Sequence, residues 1–433
     1  MLIPLLLPLL TAIPAWLRQA PAQAPGWETL PGGIRLVLRP LDNARLTAVM
    51  LLVAPGESDD PPGRPGLAHL LEHLAATAPA GEFPATPVET IVADHPDGWN
   101  AQTAWDHILL AWIVPSEKWE TELGHLSARV RDLRPRDEDL ERELGRMEVE
   151  LGNMYHRWPD LAPGNWIRTC LRAGPDGPRR GGEVDKLRDL PLSEIARAWA
   201  GKTRPENLVL VLCGRFDPGQ ARKKVEALFP GTSAAPEAPS AGSSANGALQ
   251  AGKTFEIHPE SSPAAFSMAG FPTPGFSGRP EPMADAMAAG LAVLQFSAIQ
   301  DRRVKCQFNL FADPLMVLFF TSGAGTRDPG ALLSKWLDEA RNFSWRGMDA
   351  MQARLVLRRN RGLLPRDLPA QALAVNPQLV YSTGYTAGLR ALRAPAGFWR
   401  RFDKRVDSLD EKRLAEAVKT LLDDSKGVRV GVL

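Results

Sequence analysis

The chain has 433 residues, too many for one ordinary core, so two or more domains are expected. It is 44% apolar and 23% charged with a net charge of +1, the balance of a folded soluble protein, and nucleic acid is not an expected partner. Its three cysteines, Cys170, Cys213 and Cys306, form no CxxC pair, which excludes a disulfide scaffold and a thiolate zinc site.

Residues 2–17 carry no charge and are rich in leucine, and small residues follow in two A-x-A patterns, Ala20-Pro21-Ala22 and Ala22-Gln23-Ala24. Pro4, Pro8 and Pro14 suit an export signal over residues 1–24 better than a stable membrane anchor. Residues 33–38 and 46–53 read as strands joined by a turn at Asp42-Asn43. After a loop at 59–63, residues 66–76 (GLAHLLEHLAA) read as a helix, because strong helix formers run on without proline or internal glycine. Residues 106–114 read as a strand, and 136–154 as a long charged helix with Leu140, Leu144, Met147 and Leu151 along one seam. A helix over 192–200 then leads into a strand over 208–213, in whose apolar run Cys213 reads as a small buried hydrophobe.

The stretch 231–253 is rich in Ser, Ala, Gly and Pro, lacks apolar periodicity and reads as a flexible linker between halves at 25–230 and 254–433. The second half ends as the first does, with a helix over 411–422 and a strand over 428–433. Two copies of one α/β unit is the economical reading.

The chemistry concentrates in His69-Leu70-Leu71-Glu72-His73. On a helix, His69 and His73 lie one turn apart on one face and can grip a single ion. Glu72 lies one turn from His69 and can reach a metal-bound water. This is the H-x-x-E-H order of the inverzincins. The alternative is two surface histidines on an amphipathic helix. Zinc needs a third ligand and an open position for water. Glu150, on the long charged helix 77 residues beyond His73, is a candidate that taken alone reads as a solvated charge, and Glu143 projects from the same face two turns earlier. The lone histidines His95, His107, His125, His156 and His258 have no partner at ligand spacing and read as surface or strand polar residues.

Residues 56–74 (GESDDPPGRPGLAHLLEHL), Asn100-Ala101-Gln102-Thr103 and 141–151 (ERELGRMEVEL) resemble the pitrilysin–insulinase family, which includes the mitochondrial processing peptidase and bacterial processing-type zinc peptidases. The second half resembles it only in architecture and in the strand-like AAFSMAGF at 264–271. The resemblance implies an α+β fold of two homologous α/β-roll domains, each an antiparallel-rich mixed sheet flanked by helices. It implies Zn2+ held by His69, His73 and Glu150, Glu143 supporting the site, and Glu72 as general base. It also implies that a peptide substrate pairs with the strand edge at Asn100 and Ala101.

One feature of the family is missing. An Arg followed by a Tyr grips substrate in active members, and residues 297–314 supply Arg302 and Arg303 but no tyrosine, with Phe308 in its place. The chain's tyrosines are Tyr155, Tyr381 and Tyr385. The resemblance therefore implies a heterodimer with a zinc-less homologous subunit, or a homodimer in which Tyr381 or Tyr385 reaches the site. An exported, periplasmic endopeptidase is the leading expectation. A non-catalytic assembly subunit and a maturation peptidase dedicated to one precursor are the alternatives.

Overall fold

The computed structural model describes residues 26–158, 161–179, 181–230, 249–259, 266–274, 279–300, 304–308, 316–322, 328–359, 376–393 and 397–432. The expected export signal and most of the expected linker lie outside them.

The first half holds β1 (Glu28–Thr29), β2 (Arg35–Pro40), β3 (Leu46–Val53), α1 (Leu67–Thr77), α2 (Val88–Asp94), β4 (Trp99–Thr103), β5 (Ile108–Pro115), α3 (Trp119–Arg131) and α4 (Asp137–His156). It continues with α5 (Ala162–Ala173), α6 (Leu192–Lys202), β6 (Leu208–Gly214) and α7 (Pro218–Leu228). The second half holds β7 (Thr254–Ile257), β8 (Phe266–Pro272), α8 (Pro280–Ile299), β9 (Val304–Phe308), β10 (Met316–Ser322), α9 (Pro329–Asn342) and α10 (Gly347–Arg359). Then come α11 (Pro377–Arg393), α12 (Phe398–Asp407), α13 (Glu411–Leu421) and β11 (Val428–Val432). The fold is α+β, as expected.

The two halves share one strand plan. The first sheet runs β1-β2-β6-β3-β5-β4 and the second β7-β11-β8-β10-β9. In each, the last strand of the half inserts parallel to its first long strand and antiparallel to its second: β6 between β2 and β3, β11 between β7 and β8.

Every position of β3 is buried, which an alternating one-faced strand would not require. Both faces of its sheet are covered. Val49, Leu51 and Val53 pack with α1, α3 and α6, while Ala48, Met50 and Leu52 belong to a second core shared with the other half. That second cover is α11, which crosses onto β2, β3 and β6. Helix α5 crosses the opposite way, packing Ile167, Cys170 and Leu171 against Met268, Val428 and Val430 of the second sheet. Each half thus lends a helix to the other.

The close approach of α11 needs small residues. A Cβ on Gly384 would lie 3.0 Å from Cys213 Cβ, and one on Gly388 2.8 Å from Leu52 Cδ1 and 2.9 Å from Val211 Cγ2. Arg35 fixes the helix end by donating to the carbonyls of Ala391 and Leu392 at 2.8 and 3.0 Å, the favoured place for a cation at a helix C-terminus. Helix α8 is long and apolar enough to cross a membrane, yet Met283, Met287, Val293 and Phe296 are buried in the shared core.

Candidate metal centre

Helix α1 carries the histidine pair, and its start is fixed by neighbours distant in sequence. The Asp60 carboxylate accepts from the backbone N–H groups of Gly66 and Ala68 at 2.7 and 2.8 Å, satisfying donors that a helix N-terminus leaves open. Gly66, at φ 94°, lies against the Gly181-Gly182 turn so tightly that a Cβ would sit 2.7 Å from Gly182 Cα. Bare backbone is required there, and the contact brings the Gly181 carbonyl to His69.

The Gly181 carbonyl lies 3.0 Å from His69 Nδ1, and the Glu143 carboxylate 3.2 Å from His73 Nδ1. Both partners only accept, so each neutral imidazole carries its proton on Nδ1 and points a bare Nε2 inward. The two Nε2 atoms face each other at 3.2 Å, and Glu150 Oε2, from α4, lies 3.5 Å from His69 Nε2 and 3.4 Å from His73 Nε2. With both imidazoles neutral, three acceptor atoms converge on one point. Tetrahedral ligands at zinc distances lie roughly 3.3 Å from one another, so the triangle fits a small divalent cation with one position open.

The electrostatics agree. Burial by itself would lower both histidines, but the hydrogen bonds that His73 donates to Glu143 and Glu150 and the charge of Glu72 push His73 up to about 10. His69 is also raised, the Glu150 contact and the Glu72 charge outweighing burial. Glu150 is held well below the usual carboxylate range, first by its hydrogen bonds to His69 and His73. A group of carboxylates that draws positive charge onto two imidazoles is a site that a divalent cation satisfies.

Glu72 stands beside the triangle, 4.0 Å from His69 Nε2, and accepts from the Thr103 hydroxyl at 3.2 Å. Burial raises its proton affinity against the pull of His73 and His69. Glu143, 1% exposed, also accepts from Thr77 at 2.9 Å and from Arg142 at 3.0 Å, which fixes the carboxylate that orients His73.

The site opens into a cavity of about 340 Å³ whose walls include Glu57, Val88, Trp99, Ala101, Arg146 and Met154. Strand β4 forms one wall and the edge of its sheet. Ala101 lines this cavity, whereas the Asn100 side chain turns to the far face and donates to the Tyr381 hydroxyl at 2.7 Å.

The structure brings His69, Glu72, His73, Glu143 and Glu150 together. Arg302, Arg303 and the side chain of Phe308 lie outside the described residues. His107, read from sequence as an ordinary polar residue, is buried between Asp106 and Tyr385. Gly181 and Thr77 were not singled out from sequence, and Thr103 was named only as part of the strand-edge tract. The Gly181-Gly182 pair offered a faint signal, but a carbonyl's aim has no sequence signature.

Residues 35–177 match the family described as Insulinase (Peptidase family M16). No curated protein matches the sequence. A protease from Helicobacter pylori has a similar structure, with a TM-score of 0.74 at 16% identity over 94% of this chain and 99% of that one. The periplasmic protease PqqL from Escherichia coli aligns with a TM-score of 0.65 at 12% identity, covering 96% of this chain but 48% of that one. A peptidase M16 inactive domain from Pseudomonas fluorescens aligns with a TM-score of 0.67 at 16% identity over 94% of this chain and 97% of that one.

Proposed function

The chain belongs to the pitrilysin/insulinase family of peptidases through its residues 35–177, and from that premise we propose that it is a zinc-dependent endopeptidase acting on peptides or unfolded segments. The observation that carries this reading is the triangle of His69 Nε2, His73 Nε2 and Glu150 Oε2, with edges of 3.2 to 3.5 Å. These three residues would hold Zn2+, which when bound supplies a Lewis acid for the scissile carbonyl and acidifies water.

The chain's own groups do the rest. Glu72 takes a proton from the attacking water and passes it to the leaving amine, and burial raises its proton affinity. Glu143 and the Gly181 carbonyl keep the imidazoles turned inward. The substrate lies extended along the free edge of β4 and pairs with the backbone at Asn100 and Ala101, which selects peptides without stable structure.

A non-catalytic assembly role is the competing reading, and the fold alone does not separate the two, since an inactive domain shares it. The donor set favours catalysis: a scaffold has no physical need for three converging acceptors and a buried carboxylate beside them. Export to the periplasm belongs to the proposal, supported by the leucine-rich opening and by the structural likeness to a periplasmic protease. So does a partner of the same architecture, because PqqL joins about two such lengths in one chain. Elemental analysis of the purified chain and digestion of a peptide library test the reading. About one zinc per chain with Glu72-dependent cleavage supports it, and a chain that neither takes up zinc nor cleaves, alone or with its partner, overturns it. The cleavage profile would tell a general peptidase from one dedicated to a single precursor.

A further inference from the structure

Strand β4 has a weakness that its proposed role makes consequential. It is five residues long, lies at a sheet edge and has β5 as its one strand neighbour among the described residues. Such strands are the first to fray. Its front face carries Trp99, Ala101 and Thr103 toward α1 and the cavity. Asn100 and Gln102 direct their amides toward the second half, although Gln102 also borders the cavity.

Two tyrosines of the second half meet those amides. Tyr381 and Tyr385 lie one turn apart on α11, about 6 Å along its axis, which matches the roughly 6.8 Å between alternate residues of a strand. Asn100 Nδ2 donates to the Tyr381 hydroxyl at 2.7 Å, and Gln102 Nε2 reaches the Tyr385 hydroxyl at 3.5 Å. Tyr385 in turn donates to His107 Nε2 at 3.0 Å, His107 donates to Asp106 at 2.8 Å, and Arg393 pairs with Asp106 through Nη2 at 2.7 Å and through Nε. Helix α11 is itself held by β2, β3, β6 and Arg35, none of which depends on β4. The tyrosines therefore stand on a fixed platform.

We propose that Tyr381 and Tyr385 are positioning residues for the substrate: hydroxyls from the second half hold the back of β4 so that its free edge presents a fixed register to an incoming peptide. The proposal rests on the peptidase reading above and deepens it, assigning the second half a part in substrate binding within the same chain. The hydroxyls touch neither the metal donors nor the reacting atoms. Their removal should weaken peptide binding and leave the chemical step alone.

The test is the full chain carrying Tyr381→Phe and Tyr385→Phe, singly and together, with zinc content measured for each. Hydrogen exchange at the β4 amides should accelerate about tenfold in the double variant while β3 and β5 keep their protection. KM for an unstructured peptide should rise about tenfold with kcat within twofold of the parent, the size expected from losing one or two hydrogen bonds. In a Glu72→Gln background the Kd of the same labelled peptide, read by fluorescence anisotropy, should rise by the same factor. That arm does not require turnover, so an inactive parent chain counts against the peptidase reading and the binding result still decides the positioning role. Unchanged β4 exchange with unchanged peptide Kd overturns the proposal, as does a fall in kcat and zinc content together, which would mark general damage.

Discussion

His69 and His73 turn their Nε2 atoms toward each other at 3.2 Å because each Nδ1 is engaged from behind, one by the Gly181 carbonyl and the other by Glu143. The inward lone pairs are thus set by groups 112 and 70 residues away in sequence.

Removing one lone pair should empty the site. His73→Ala is expected to abolish stoichiometric zinc, and Glu143→Gln to weaken zinc binding about 10- to 100-fold by loosening the His73 ring without removing a donor. Competition with a chelating dye measures both. Full occupancy in His73→Ala would contradict the donor assignment.

Glu72→Gln keeps the shape and the contact with Thr103 but cannot accept a proton. Zinc content should stay at the parent value while peptide cleavage falls roughly 100- to 10,000-fold. Near-parental turnover would remove Glu72 from the mechanism.

The interface beneath β4 is sensitive to acid. Burial lowers His107 from the ordinary histidine value of 6.5, with Asp106 only partly opposing. The unfolded chain then binds a proton that the folded chain resists, so stability rises with pH up to 6.5 and is lost as pH falls below it. Burial alone would raise Asp106, but the charges of Arg393 and His107 hold it well below 3.8, so its contribution is present above 3.8 and is lost at still lower pH. Both act in the same direction. Protonation of His107 would also take the acceptor from the Tyr385 hydroxyl. Denaturant midpoints of zinc-loaded protein should fall below pH 6.5 in the parent and less so in His107→Gln. Parallel profiles would contradict this account.

Gly388→Ala tests the lent helix. The added methyl meets Leu52 and Val211 at 2.8 and 2.9 Å, and an overfilled contact of this kind costs about 1–3 kcal/mol. Thermal melting should show that loss in both halves together, because α11 completes the core of the first sheet. Independent melting of the two halves would contradict a shared core.

The partner prediction concerns rate. The purified chain should cleave an unstructured peptide slowly and gain on the order of 100-fold when a zinc-less homologous subunit supplies a grip from the far wall. A chain fully active alone, with no response to the partner, would remove the need for a second subunit.

Much of this protein was legible in its sequence for a local reason. The H-x-x-E-H chemistry sits within one turn of one helix, so spacing alone placed His69, Glu72 and His73 on one side of α1. Strand β3 and helix α4 were likewise visible as an apolar run and a charged seam, and both fall within two residues of the expected bounds. Glu150 was legible only through resemblance, because a glutamate on a charged helix looks solvated until α4 packs on α1. The sequence held no sign that Asn100 would turn from the cavity to Tyr381, or that Gly181 would aim a carbonyl at His69. Those facts depend on which segments meet across more than a hundred residues, and hydrogen bonds between distant backbone and side-chain groups leave no periodic pattern in the chain. The sequence determined the chemistry that one helix can carry, and the tertiary structure decided what aims it.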